Sequence, residues 1–321
     1  MEDIKINKDF SETLLKSFCK DWKLPIQIYT AEFMEYYINL YDTILNTKSK
    51  FYDFQQTLNK FNNFNEFQQY EHNLIFSLAD RIKSTEAYKY FNECDLDSVY
   101  PITKDVQGVI FSKSGDIYKP ENHGNYYISI DLKKANFQAL KYHDGNLIFN
   151  SKDYEDLLRL QQCEYTYFWQ SKQVRQVMFG QLNMGRIARI ERFITQTILT
   201  YILEHLSDYI KKEDIIIFTA DEIIIRCTEN TFWNDDKLYD LKSIISEDCD
   251  VDIHVENFKL NYIENKFYVK EHKTDVPIFK GGSSIYFPQA FKHYMNQELC
   301  DKDLCFSYEG NIAKFIEPLK W

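Results

Sequence analysis

The chain has 321 residues, 44% hydrophobic and 27% charged, with 24 Tyr and 25 Phe against only 9 Gly and 6 Pro. That is enough chain for a sizeable core in one large or two modest domains, and so few breakers exclude collagen-like, low-complexity and largely disordered chains. The formal net charge of −11, taken alone, points away from nucleic acid, whose binders usually show a basic footprint, and no apolar run approaches the roughly 18 residues of a membrane span.

In chain order, residues 1 to about 100 read as helical. The charged start Met1-Glu2-Asp3-Ile4-Lys5 lacks the apolar stretch of a signal peptide, which predicts an intracellular protein of cytoplasm, nucleus or virus rather than a secreted one. Ser11 precedes Leu14, Leu15 and Phe18 as a helix cap, and Thr30 stands before Phe33, Tyr36, Tyr37 and Leu40 at helical spacing. After a polar break at 62–66 the period resumes at Tyr70, Leu74, Ile75, Leu78 and Ile82.

The pattern changes at Tyr100-Pro101. Val106 to Phe111, a turn at 112–116 and then Ile117-Tyr118 predict a β-hairpin. Tyr126 to Leu132 predicts a strand, Tyr154 to about Trp169 a helix, and Ile187, Ile190, Ile194 and Ile198 mark an amphipathic helix. Two apolar runs over 215–225, interrupted by Thr219-Ala220-Asp221-Glu222, predict a strand pair with a tight turn. Val251 to Val255 and Phe267 to Val269 predict further strands, and a last helix starts near Pro288.

Seven cysteines are scattered from Cys19 to Cys305 without a Cys-x-x-Cys, which predicts free thiols and no zinc site. No glycine precedes a lysine and there is no Gly-x-Gly-x-x-Gly, which disfavours a P-loop or a Rossmann cofactor site. Charge is unevenly spread. Lys172, Arg175, Arg186, Arg189 and Arg192 face a single acid, Glu191, between 172 and 192, whereas 14 acids and four bases lie between 213 and 264.

Carboxylates beside apolar strands are costly unless they are paired or hold a cation. Asp131 closes the run Tyr126-Tyr127-Ile128-Ser129-Ile130, and Asp221 and Glu222 sit between two isoleucine runs. Acids on neighbouring strands are able to hold two Mg²⁺ or Mn²⁺ ions about 3.5–4 Å apart, the arrangement for in-line phosphoryl transfer.

Ile130-Asp131-Leu132-Lys133-Lys134-Ala135-Asn136-Phe137 resembles the first catalytic motif of palm-domain polymerases, in its reverse-transcriptase form. Phe218-Thr219-Ala220-Asp221-Glu222 resembles the later catalytic hairpin, with Glu222 where reverse transcriptases carry a second Asp. Between them, Lys172-Gln173-Val174-Arg175-Gln176-Val177-Met178-Phe179-Gly180 resembles the fingers helix of family-B DNA polymerases, with Gln176-Val177 in place of Asn-Ser. Lys266-Phe267-Tyr268 resembles the Lys-x-Tyr element of that family, which touches the primer duplex. The resemblance covers roughly residues 100 to 275.

The resemblance implies an α+β polymerase palm, an antiparallel sheet with helices on one face. It implies a helical N-terminal region over 1–100, a palm over 101–275 with fingers inserted at about 146–204, and a C-terminal thumb-like segment over 276–321. The implied activity is template-directed nucleotidyl transfer from a nucleoside triphosphate to a 3′-OH, with a nucleic acid template and primer, room for primase-like activity, and a protein partner suggested by the acidic net charge.

Asp131, Asp221 and Glu222 would be the catalytic metal ligands. Lys172, Arg175, Gln176, Asn136 and Phe137 would bind the substrate, with Asn136 five positions after the first metal Asp, where related palms set sugar choice. Arg186, Arg189, Arg192, Lys266, Tyr268, Lys280 and Lys292 would contact nucleic acid; for the three arginines, pairing with the acid-rich segment is the competing reading. Two other functions fit the same motifs: a non-catalytic palm-fold subunit of a replication or transcription complex, and another palm-fold enzyme such as a nucleotidyl cyclase.

Overall fold

The computed structural model describes residues 2–6, 10–229, 235–273 and 275–321. The first third is helical: α1 (Glu12–Asp21), α2 (Ala31–Leu40), α3 (Asp42–Leu45), α4 (Thr47–Leu58), α5 (Phe64–Lys83), α6 (Glu86–Glu93) and α7 (Leu96–Val99). Local caps set several of these starts. The Ser11 hydroxyl accepts from Leu14 N at 3.3 Å, and Asn63 Oδ1 accepts from Glu66 N at 3.0 Å, each satisfying an amide that the first turn leaves open. Thr30 occupies the cap position of α2, but its hydroxyl makes no cap hydrogen bond.

The hairpin expected over 106–118, with its turn at 112–116, is replaced by a smaller one that turns within the expected first strand. β1 (Asp105–Val106) and β2 (Val109–Ile110) are joined by Gln107-Gly108. Both turn residues have positive φ, 51° and 87°, as a two-residue hairpin turn of this hand requires. Residues 114–117 instead form a 3₁₀ turn that buries Ile117.

β3 (Tyr126–Leu132) leads through a tight turn at Lys134 (φ 49°) into α8 (Ala135–His143). The helix expected from Tyr154 to Trp169 is two, α9 (Tyr154–Arg159) and α10 (Thr166–Gln170). The chain breaks at Gln162 (φ 57°), where Leu158 O accepts from both Gln161 N and Cys163 N, and the break buries Cys163, Tyr167 and Phe168. There follow α11 (Lys172–Gly180), the long α12 (Met184–His205), β4 (Ile215–Phe218), β5 (Glu222–Cys227), α13 (Asp235–Cys249), β6 (Ile253–Tyr262), β7 (Phe267–Glu271), β8 (Ile278–Gly281) and α14 (Phe287–Tyr294). A final hairpin, β9 (Cys305–Tyr308) and β10 (Asn311–Lys314), ends the ordered elements.

Six strands form one antiparallel sheet in the order β4-β5-β3-β6-β7-β8, in a chain that is 52% helix and 16% strand, an α+β arrangement. Strand side chains alternate between the two faces, so register sorts them. One face carries Ile128, Ile130, Leu132, Ile223, Ile225 and Ile253, all buried in the main core against α8, α12 and α13. The other face carries Tyr127, Ile224, Phe258, Leu260 and Tyr268, which with Ile117 make a second, small apolar cluster. Beyond that cluster the same face turns polar.

Buried apolar residues run in one continuous core from Ile6 to Phe291. Rings of the N-terminal helices reach the segment after α9: Phe54 lies 5.3 Å from Tyr167, and Phe67 5.3 Å from Phe168. α11 in turn packs on α1 and α5. The C-terminal segment is fixed to α2 and the residue after it. Tyr41 packs edge-on against Phe287 and Phe291, and the Tyr36 hydroxyl donates to the buried Asp303 at 2.7 Å. No helix among the described residues is long and apolar enough to cross a membrane.

Candidate active site

β3 and β5 pair so that Asp131 stands directly opposite Glu222, and β6 places His254 on the other side of Asp131. Asp221 is the last residue of the turn between β4 and β5. That turn is held from three directions: Leu132 N donates to Asp221 O at 2.9 Å, Thr219 Oγ1 to Asp221 Oδ1 at 3.3 Å, and Thr195 Oγ1 of α12 to Ala220 O at 2.7 Å. Asp131 and Asp221 therefore lie near each other at one end of the sheet face that also carries Ser129, Glu222 and Glu256. Burial, followed by the charges of Asp221 and Glu222, pushes the Asp131 carboxyl up to about 7. Such crowding of carboxylates is relieved by a cation.

Both aspartates offer the hard oxygen donors that Mg²⁺ or Mn²⁺ takes. Glu222, expected as a third metal ligand, is committed elsewhere. Its Oε1 accepts from Ser129 Oγ at 2.7 Å and lies 3.7 Å from Lys270 Nζ. Among the described residues no group of three or more His, Cys, Asp or Glu side chains gathers as a metal site, which leaves Asp131 and Asp221 as the carboxylate donors here.

A polar network continues across the sheet. Lys270, only 4% exposed, donates to Glu256 Oε1 at 2.8 Å and lies over the Phe258 ring at 4.3 Å. Burial opposes the charged amine, yet Glu256, then Tyr118 and Glu222, hold its pKa above the usual lysine value. Burial likewise opposes the Glu256 carboxylate, and the combined pull of His254, Lys270 and His272 brings it down to about 2. These residues were not anticipated, although the alternation Ile253-His254-Val255-Glu256 carries the signal of a strand with one polar face.

The expected substrate cations lie on α11. Lys172 is exposed at the first helical position, after Ser171, whose hydroxyl accepts from Val174 N at 3.1 Å. Arg175, one turn on, is half-buried over the Tyr154 ring. Gln176 is exposed and accepts from Lys23 Nζ. Lys280 of β8 pairs with Tyr268 and so shares the face of Glu222, Glu256 and Lys270. Water reaches it, while surrounding protein, then Lys270 and Lys172, lower its pKa against the opposing pull of Glu222 and Glu256.

Other expected residues have different placements. Phe137 is 1% exposed and belongs to the main core, because α8 begins at Ala135 and turns that side chain inward; it does not face the acids. Asn136 Nδ2 donates to Glu191 of α12, whose carboxyl burial, against the pull of Asn136, pushes up to about 7. Arg186 Nη2 donates to Cys94 O, and Arg189 Nε donates to Leu96 O and Tyr100 O and pairs with Asp97. Both guanidiniums are thereby held by segment 94–100, neither by the acid-rich segment nor toward the sheet. Arg192 is exposed, stacked over Phe111 at 4.5 Å. Tyr268 is 4% exposed, packed between Tyr118 and Tyr262, so its ring is a core element. Lys266 is exposed in the turn before β7, and Lys292 is half-buried in the last turn of α14. Comparison of the chain with protein-family models, curated proteins and solved structures finds no match.

Proposed function

We propose that the protein is a template-directed nucleic acid polymerase of the palm type, which transfers a nucleotidyl group from a nucleoside triphosphate to a 3′-OH. One observation carries this reading. Asp131 and the Asp221-Glu222 pair meet at the β3–β5 ladder, at one end of an antiparallel sheet whose same face carries Lys280 of β8. Acids and cations so divided suit a ligand with an anionic tail and a metal-bridged reacting phosphate.

Asp131 and Asp221 would hold the divalent cations, Mg²⁺ or Mn²⁺, which when bound activate the attacking hydroxyl and neutralise the departing pyrophosphate. Lys172 would meet phosphate oxygens as a compact charge and Arg175 as a planar fork. Lys270 would act indirectly, by keeping Glu222 drawn along the sheet and away from the aspartate pair. The template and primer would lie across the open face, beside Lys266 and Lys280.

Primer extension with labelled nucleoside triphosphates and Mg²⁺ or Mn²⁺ tests the reading. Template-dependent extension that Asp131→Asn abolishes supports it. A cyclic mononucleotide product would assign a nucleotidyl cyclase instead. Nucleic acid binding without turnover would assign a non-catalytic subunit.

A further inference from the structure

The N-terminal helices lie outside the stretch that resembles a polymerase, yet they deliver a cation to the same place. Lys23 follows α1 and takes up φ 51°, a left-handed conformation unusual for a residue with a side chain. That conformation turns the chain between Trp22 and Leu24, and Leu24 N donates back to Cys19 O at 2.9 Å. The Lys23 amine then reaches Gln176 on α11, the residue that follows Arg175 and lies one turn after Lys172.

Lys23 and Lys280 also line a common cavity of about 350 Å³, walled by Pro25, Phe267, Phe279 and the turn Gly281-Gly282. The turn is packed closely: a Cβ on Gly281 would stand 2.3 Å from Lys266 O, and one on Gly282 would stand 2.3 Å from the Phe267 ring. Both glycines have positive φ, 70° and 61°. Nothing larger than hydrogen fits there, so the wall beside Lys280 is fixed.

Among the described residues Lys23, Lys172, Arg175 and Lys280 form no ion pair. After burial, the influences on Lys23 are two further cations, Lys172 and Arg175, and both lower its pKa. A protein whose net charge is −11 has acids to spare, yet none stands against Lys23. Like charges gathered without a counter-charge repel one another, and an anion bound among them removes that cost.

We infer that Lys23, with Lys172, Arg175 and Lys280, forms a polyphosphate-binding site in which the N-terminal helical region supplies a ligand to a substrate site otherwise built from α11 and β8. This deepens the polymerase reading and rests on it for the identity of the ligand, the triphosphate of the incoming nucleotide. Gln176 acts as the resting partner of Lys23. When phosphate oxygens arrive, the ammonium exchanges a neutral amide for an anion, so that both partners of the hydrogen bond carry charge.

Calorimetric titration of the full chain with inorganic tripolyphosphate, and separately with a single-stranded oligonucleotide lacking a triphosphate, tests this without turnover. Lys23→Gln should weaken tripolyphosphate binding about tenfold, and Lys23→Arg should restore most of it. Oligonucleotide affinity should change far less, and Lys60→Gln, an exposed lysine on another surface, should change neither. Equal tripolyphosphate affinity in wild type and Lys23→Gln, with both melting at the same temperature, overturns the inference. A loss confined to the oligonucleotide also overturns it and assigns Lys23 to the strand backbone. Tripolyphosphate binding that depends on Lys23 in a protein that extends no primer keeps the inference and removes the polymerase reading.

Discussion

The hydroxyl of Ser129 donates to Glu222 Oε1 at 2.7 Å across the β3–β5 ladder, two residues along β3 from Asp131. This bond and the Lys270 amine draw Glu222 along the sheet, so Asp221 at the end of the β4–β5 turn and Glu222 at the start of β5 have different surroundings. The Asp221 charge acts on Asp131, whereas the Glu222 carboxylate also belongs to a charge network with Lys270 and Glu256. Turnover should follow that division. Asp131→Asn and Asp221→Asn should each lower nucleotide incorporation on the order of a thousandfold with the fold retained, and Glu222→Gln should cost much less. Steady-state extension rates, with circular dichroism as the folding control, check this; a Glu222→Gln loss equal to that of the aspartates would refute it.

Divalent cation binding should be visible without turnover. Mn²⁺ at about 100 times its dissociation constant stabilises a folded protein by about 2.7 kcal/mol. Wild type should show a higher melting temperature in Mn²⁺, and Asp131→Asn should lose most of that rise. Equal shifts in both proteins would place the ion elsewhere.

The buried Lys270 needs its carboxylates. Glu256 is the nearer, at 2.8 Å, against 3.7 Å for Glu222. Removing one partner of a buried pair leaves an uncompensated charge and costs about 3–5 kcal/mol. Glu256→Gln should lie near the lower end of that range, because Glu222 remains, and Glu222→Gln should cost less. Chemical denaturation of the two variants gives the order directly.

Away from the sheet, burial raises the carboxyl of Asp21 to about 6 and that of Glu71 to about 7, with Asp21 adding to the effect on Glu71. A carboxyl raised in the folded state binds its proton more tightly there than in the unfolded chain. Its stabilising contribution is fully present below the ordinary value near 4 and is lost as pH rises through 6 to 7. Asp21→Asn still accepts from the Tyr167 hydroxyl and carries no charge. At pH 8 it should be more stable than wild type by about 2 kcal/mol, and the gap should close by pH 4. Melting curves across that range decide it; a constant gap would mean that Asp21 does not titrate.

Arg186 and Arg189 lie against the carbonyls of 94–100, so Arg189→Ala should destabilise by about 1–3 kcal/mol, since it takes the arginine donor from Tyr100 O and Asp97 and leaves Leu96 O with Tyr100 N alone. The salt dependence of nucleic acid binding should be unchanged by Arg186→Ala or Arg189→Ala, whereas Arg192→Ala should lower the slope by at most about one unit. A flatter slope in Arg189→Ala at constant stability would show that this guanidinium reaches phosphate.

Much of this arrangement is legible in the residues. The isoleucine runs around Thr219-Ala220-Asp221, and the alternation that ends at Asp131, specify strands with acids at their ends, because period-2 patterning and a tight turn are local properties. Ser11 and Asn63 start helices for equally local reasons. The fates of Asn136, Phe137, Arg186 and Tyr268 are not local. Each depends on what packs across from it: Glu191 for Asn136, the helical layer for Phe137, the 94–100 segment for Arg186, and Tyr118 for Tyr268. Lys23 is the clearest case, since 153 residues separate it from Gln176. Local patterning is enough to say which strands carry acids and which helix carries cations. Which charges remain unpaired and lie near one another emerges from the packed fold, because pairing over such separations is set by how the elements pack, and no local periodicity records it.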